Sequence, residues 1–226
     1  MKLLISLLVL LAGGGVAWAD RQQIPTPSDI SLNGIPVCYD FGCKTLTTVG
    51  LPLTEWETVT GWFVPVAQTP AQEREQIKNA VGWMEVLIGR HTPTYRDIAF
   101  DLPADGDETG MFPGQLDCID EAVNTTSYLK LFEKSGLLKH HIVIEEAYRR
   151  SLLDQHWAGQ VREKQTGKRF VVDSWFQPNG YLPVIQDSEQ WEDISLLTAV
   201  VDNSPDEYGK EIKRSFWHRL LRGEQQ

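Results

Sequence analysis

The sequence predicts an α+β fold, and three observations carry the expectation. Apolar residues recur at helical spacing in Pro70–Gly89, at Ile77, Val81, Met84 and Ile88. They recur again from Cys118 to about Ser135, at Ile119, Ala122, Val123, Leu129 and Phe132. Strand-like runs follow, and two of them, His156–Val161 and Lys168–Phe176, flank a Thr166-Gly167 turn that reads as a hairpin. Helices followed by a run of antiparallel strands suit an α+β domain.

Residues 1–19 read as a cleavable signal peptide. Lys2 is a short positive start, Leu3–Leu11 an apolar stretch, and Ala17-Trp18-Ala19 a small-x-small cleavage site. The apolar stretch is too short to span a bilayer. No cysteine follows the cut, so a lipid anchor is not expected. Residues 20–226 are then one domain, periplasmic or secreted. Lys2 is the one charged residue that cleavage removes, so the net charge of −10 becomes more negative by one unit. Such an acidic chain lacks the basic footprint that nucleic acid requires. A protein or peptide substrate is the expected partner.

Residues 20–36 read as an irregular arm. Cys38 and Cys43 follow, with Gly42 between them to let the chain bend. In an exported protein with three cysteines, these two are expected to form a disulfide, which leaves Cys118 as a single thiol. A lone thiol is commonly a small apolar filler. Residues 46–66 read as weak strand or loop. The 70–89 helix has Thr69 as its cap and Pro70 at its first position. Residues 101–110 form an acidic turn with Asp101, Asp105, Asp107 and Glu108. These are hard oxygen donors of the kind calcium takes, but the spacing is not that of an EF-hand and a solvated loop is the simpler reading.

Cys118 ends a Gly/Pro-rich stretch and opens the next helix. Asp117 can cap that helix, Asp120 can complete a capping box, and Gly136 stops it. Backbone N–H groups at a helix start favour a thiolate. Leu137–Glu146 reads as a strand, while Tyr148–Leu153 is ambiguous. Beyond the hairpin, Leu182–Ile185 and Ile194–Val201 add strands or short helix, and Pro205–Leu221 reads as an amphipathic terminal helix.

Thiol catalysis needs a base to take the proton and a third group to orient that base. His156 opens one hairpin strand and Asp173 lies near the end of the other. Pairing Val161 with Lys168 sets His156 directly opposite Asp173, with Cβ atoms ~5 Å apart. None of His91, His140, His141 and His218 is followed by a strand that returns an acid to its side. No close Cys/His pair suggests zinc.

Asp117-Cys118-Ile119-Asp120, His156-Trp157 and Val171-Val172-Asp173-Ser174 resemble the three motifs of the transglutaminase-like superfamily, and within it the bacterial transglutaminase-like cysteine proteinases. The resemblance covers about residues 70–176. It implies a papain-like α+β core, with the nucleophile helix packed against an antiparallel sheet and a Cys118–His156–Asp173 triad. Some members bind calcium through carboxylates flanking the cysteine. Asp117, with Asp120 beside it, matches that pattern in part, but Ile119 stands where another acid is expected.

The reaction expected is attack by Cys118 on an amide carbonyl, through a thioester, with His156 as base and then acid and Asp173 orienting it. The oxyanion would be held by the Cys118 backbone N–H and by Gln115. Asp117, Asp120 and Glu121 suit the helix dipole but repel a thiolate, so an imidazolium or a bound cation is needed to offset them. Water as acceptor makes the protein a cysteine proteinase or amidase, and an amine makes it a transglutaminase. The rival is a non-catalytic binding module in which Cys118 is a buried free thiol. No cofactor is required for the thiol chemistry, and calcium is the one ion the carboxylates suggest.

Overall fold

A computed structural model of the chain describes residues 24, 28–98, 113–150 and 155–193. The expected signal peptide, the expected acidic turn at 101–110 and the segments 194–201 and 205–221 lie outside the described residues.

The fold is α+β, and its sheets are antiparallel. It opens with a hairpin of β1 (Ile35–Tyr39) and β2 (Thr45–Val49). The connecting loop carries the Cys38–Cys43 disulfide, as the cysteine spacing led us to expect. Asp40, Phe41, Gly42 and Cys43 all have positive φ, at 69°, 65°, 62° and 58°. Left-handed backbone is unfavourable for three of those four residues, so the disulfide and tertiary hydrogen bonds must hold the loop.

α1 (Leu53–Thr60) falls in the stretch read as weak strand or loop. Val59 is its buried residue, so its apolar face is too thin to leave a helical stripe in the sequence. α2 (Pro70–Gly89) has the bounds read from the sequence, and the Thr69 hydroxyl accepts the Gln72 N–H at 3.2 Å.

α3 (Cys118–Lys134) starts where the sequence placed it, and both halves of its capping box form. The Asp117 carboxylate accepts the N–H groups of Ile119 and Asp120, and Asp120 accepts that of Asp117. α3 is buried along most of its length and packs against β1 and β5. Gly159 makes the close approach to β5 possible: a Cβ there would lie 2.8 Å from Thr125 Cγ2.

The strand expected at Leu137–Glu146 is short, β3 (His141–Val143). Glu73 on α2 explains why. Its carboxylate accepts the backbone N–H groups of Lys139, His140 and His141, which removes those donors from a ladder. β4 (Ala147–Arg150) makes the described part of the ambiguous segment a strand. β3 and β4 both pair with β5 (Gln155–Glu163), β3 along its second half and β4 along its first. β6 (Arg169–Asp173) pairs with β5, and β7 (Val184–Asp187) with β6. α4 (Ser188–Asp193) follows directly.

The hairpin register differs from the expected one. Val161 faces Phe170, not Lys168, so the ladder is shifted by two residues. Two residues are one full side-chain period, so His156 and Asp173 still share a face, now as diagonal neighbours.

Candidate active site

Cys118 sits at the first position of α3 and is partly exposed. Its Sγ lies 3.9 Å from the Gln155 carbonyl oxygen, one residue before His156 on β5. The preceding loop has little freedom. Gly114 has φ +97°, and a Cβ there would lie 2.3 Å from the Pro93 oxygen. The Gly114 N–H donates to Asp40 Oδ1 at 2.7 Å, and the Leu116 N–H to Asp97 Oδ1 at 2.7 Å. The Asp40 N–H donates to the Gln115 carbonyl at 2.9 Å.

The disulfide loop grips the same helix end. Gly42 N–H donates to Asp117 Oδ2 and Cys43 N–H to Asp120 Oδ1, each at 2.7 Å. One turn further on, Asn124 accepts the Cys38 N–H at 2.7 Å and donates to the Cys38 carbonyl at 2.8 Å. The staple that the sequence suggested as a local feature therefore positions the thiol-bearing helix.

His156 and Asp173 meet as expected. His156 Nε2 and Asp173 Oδ2 are 2.7 Å apart, with 1 % and 2 % of the side chains exposed. With Nε2–H donating to the carboxylate, Nδ1 is the ring nitrogen left to exchange a proton. Aromatic rings surround the imidazole, with centroids of Trp175 at 4.9 Å, Phe176 at 5.2 Å and Trp191 at 5.5 Å. A dry aromatic surround strengthens the His156–Asp173 hydrogen bond.

Nothing along the chain marked Trp191 as part of the site. Its indole N–H donates to Asp173 Oδ2 at 2.9 Å, the oxygen that also holds His156. Arg149 holds Trp191 in turn, with its guanidinium 4.5 Å from the indole centroid and an N–H donated to the Trp191 carbonyl at 2.9 Å. Arg149 is also the direct cross-strand partner of His156. Asp40, Asp97 and Asn124 were missed as well. Each is an isolated polar residue whose work is done on backbone far away in the chain.

The Gln115 side chain is buried and hydrogen-bonded. Its side-chain nitrogen donates to the Arg96 carbonyl at 2.9 Å, and its side-chain oxygen accepts the Ile98 N–H at 3.2 Å. Its work is to tie the loop before Cys118 to residues 96–98. Asp117 and Asp120, the calcium ligands the resemblance implied, are engaged by the backbone. All four of their carboxylate oxygens accept backbone N–H groups, from residues 42, 43, 117, 119 and 120. Among the described residues, the one grouping of three possible metal donors is Cys38, Cys43 and Asp120, and two of those are joined in the disulfide.

Burial also changes the charge beside the thiol. Desolvation pushes the Asp120 carboxyl up to about 8, and the Asp117 charge adds to this against the pull of the Asp117 and Cys43 N–H groups. Glu121 is pushed well up, first by burial and then by Glu85, Asp97, Asp120 and Asp173. Burial thus favours the neutral form of both Asp120 and Glu121 near the thiol.

Comparison with protein-family models, with curated proteins and with solved structures gives no match.

Proposed function

We propose that this protein is an exported thiol hydrolase, a cysteine proteinase acting on peptide or amide bonds through Cys118, His156 and Asp173. One observation carries the reading. A buried His156–Asp173 pair lies on the sheet, and Gln155, just before His156, meets the partly exposed Cys118 sulfur at a helix start. Packing of α3 on β5 of an antiparallel sheet supports a papain- or transglutaminase-like core. The Cys38–Cys43 disulfide supports an oxidising compartment, periplasmic or extracellular.

In this mechanism His156 Nδ1 takes the Cys118 proton, and the Asp173 carboxylate offsets the charge of the imidazolium. The thiolate attacks the carbonyl, and the Cys118 backbone N–H at the helix start supports the oxyanion. The amine leaves with the proton from His156, and water then cleaves the thioester. An amine in place of water gives acyl transfer by the same steps. The non-catalytic reading requires a sealed thiol, and the partial exposure of Cys118 weighs against it.

The test is to incubate the protein with a peptide library and look by mass spectrometry for an acyl adduct on Cys118. Added amine distinguishes hydrolysis from transfer. The expected result is a thioester adduct lost in Cys118→Ala. A Cys118 that is inert to both peptides and iodoacetamide would overturn the proposal.

A further inference from the structure

Asp173 carries its charge in an unusual setting. The side chain is 2 % exposed, and both of its donors, His156 and Trp191, lie on Oδ2. Oδ1 is buried and has no hydrogen-bond partner among the described residues. A buried carboxylate with so few donors depends heavily on each one. Trp191 is also held from both sides. Its ring lies under the Arg149 guanidinium and packs near the imidazole, and its carbonyl accepts from Arg149.

We infer that Trp191 is a positioning residue for the triad: held by Arg149, its indole N–H fixes the Asp173 carboxylate and sets how strongly that carboxylate draws the proton of His156. The inference rests on the thiol-hydrolase reading. Its donor acts on His156 through Asp173, while its ring packs against the imidazole.

The direction of its influence follows from the charges. The groups bearing on Asp173 are His156 from β5, Trp191 from α4 with the Arg149 cation of β4 behind it, and Glu121 from α3. The indole N–H stabilises the carboxylate most when the imidazole is neutral, because an imidazolium would itself offset the charge. Removing that N–H therefore favours the imidazolium, and with it the Cys118 thiolate. It also leaves the carboxylate free to turn, which lowers turnover.

The experiment is Trp191→Phe, which keeps a ring beside His156 and against Arg149 but has no donor. Cys118 alkylation by iodoacetamide is followed against pH in wild type and variant. The expected midpoint for thiolate formation falls by about half a pH unit, or roughly threefold in thiolate fraction below it. A change of packing alone alters rates but leaves the midpoint in place. In the wild type, the Trp191 indole N–H resonance should titrate with the same midpoint. A midpoint that is unmoved or raised in the variant overturns the inference. If the variant does not fold, an indole resonance indifferent to that titration overturns it. Failure of the parent reading looks different: wild-type Cys118 would then alkylate as an ordinary thiol, unaffected by His156→Ala.

Discussion

At the scale of single residues, the site sets a thiol near the surface and a histidine–carboxylate pair in the core. Cys118 is partly exposed, while His156 and Asp173 are almost fully buried. Cys118→Ala should abolish turnover with the fold retained. His156→Ala should cost about 10²–10⁴-fold in kcat/KM and slow iodoacetamide alkylation of Cys118. Asp173→Asn should cost less, because an amide still orients the imidazole but carries no charge to stabilise the imidazolium. Equal alkylation rates in wild type and His156→Ala would separate the histidine from the thiol. Asp120 supplies a pH dependence. Its folded-state carboxyl titrates at about 8 against an ordinary 3.8, so the folded protein holds that proton more tightly than the unfolded chain. The stability this contributes is full below about pH 4 and is lost as pH rises toward 8. Asp120→Asn should therefore flatten the decline of melting temperature with pH over that window, and parallel curves for the two proteins would disprove the assignment.

Elements meet at two closely fitted places. α3 lies against β5 because Gly159 leaves room for Thr125, and Leu129 Cδ1 lies 3.4 Å from the same point. Gly159→Ala should cost about 1–3 kcal/mol by overpacking, read as a fall in the denaturant midpoint. Thr125→Ser removes the methyl that clashes, so the double variant should recover part of the loss. Additive effects of the two changes would argue against this contact as the cause. α2 meets β3 through Glu73, whose carboxylate lies 2.8 Å from His141 Nδ1. Burial alone would raise Glu73, but the His141 side chain and the His140 and Lys139 N–H groups hold it below the usual carboxylate range. His141 is thus committed to anchoring β3 on α2, on the side of the sheet's edge strand, and serves structure where His156 serves chemistry.

The whole molecule is tied together by its first hairpin. The disulfide loop places N–H groups on Asp117 and Asp120, and Asp40 receives the Gly114 N–H from the loop before the nucleophile. Native protein should show one reactive thiol, Cys118, and three would contradict the disulfide. Removing it with paired Cys38→Ala and Cys43→Ala changes should cost about 2 kcal/mol. The same change should slow Cys118 alkylation, because the helix start loses its external support. A pair of changes that lowers stability and leaves alkylation unchanged would limit the staple to a stabilising role. No helix among the described residues is long and apolar enough to cross a membrane.

Local chemistry made much of this legible before any coordinates. Thr69-Pro70 marked the start of α2, and Asp117 with Asp120 marked the start of α3, because caps act within one turn of backbone. Cysteine arithmetic marked the 38–43 pair and isolated Cys118. The hairpin turn brought His156 and Asp173 to one face even though the register slipped, since an error of two residues preserves the face. Tertiary structure alone decided the rest. Glu73 shortens β3 from 67 residues away, Gln115 is drawn to Arg96 and Ile98, and Trp191 reaches Asp173 from a separate helix. The upward shifts of Asp120 and Glu121 belong here too, because desolvation depends on what is packed around a carboxyl. The physical reason is the same throughout. Periodicity and capping depend on neighbours along the chain, whereas burial, charge and hydrogen-bond partnership depend on neighbours in space.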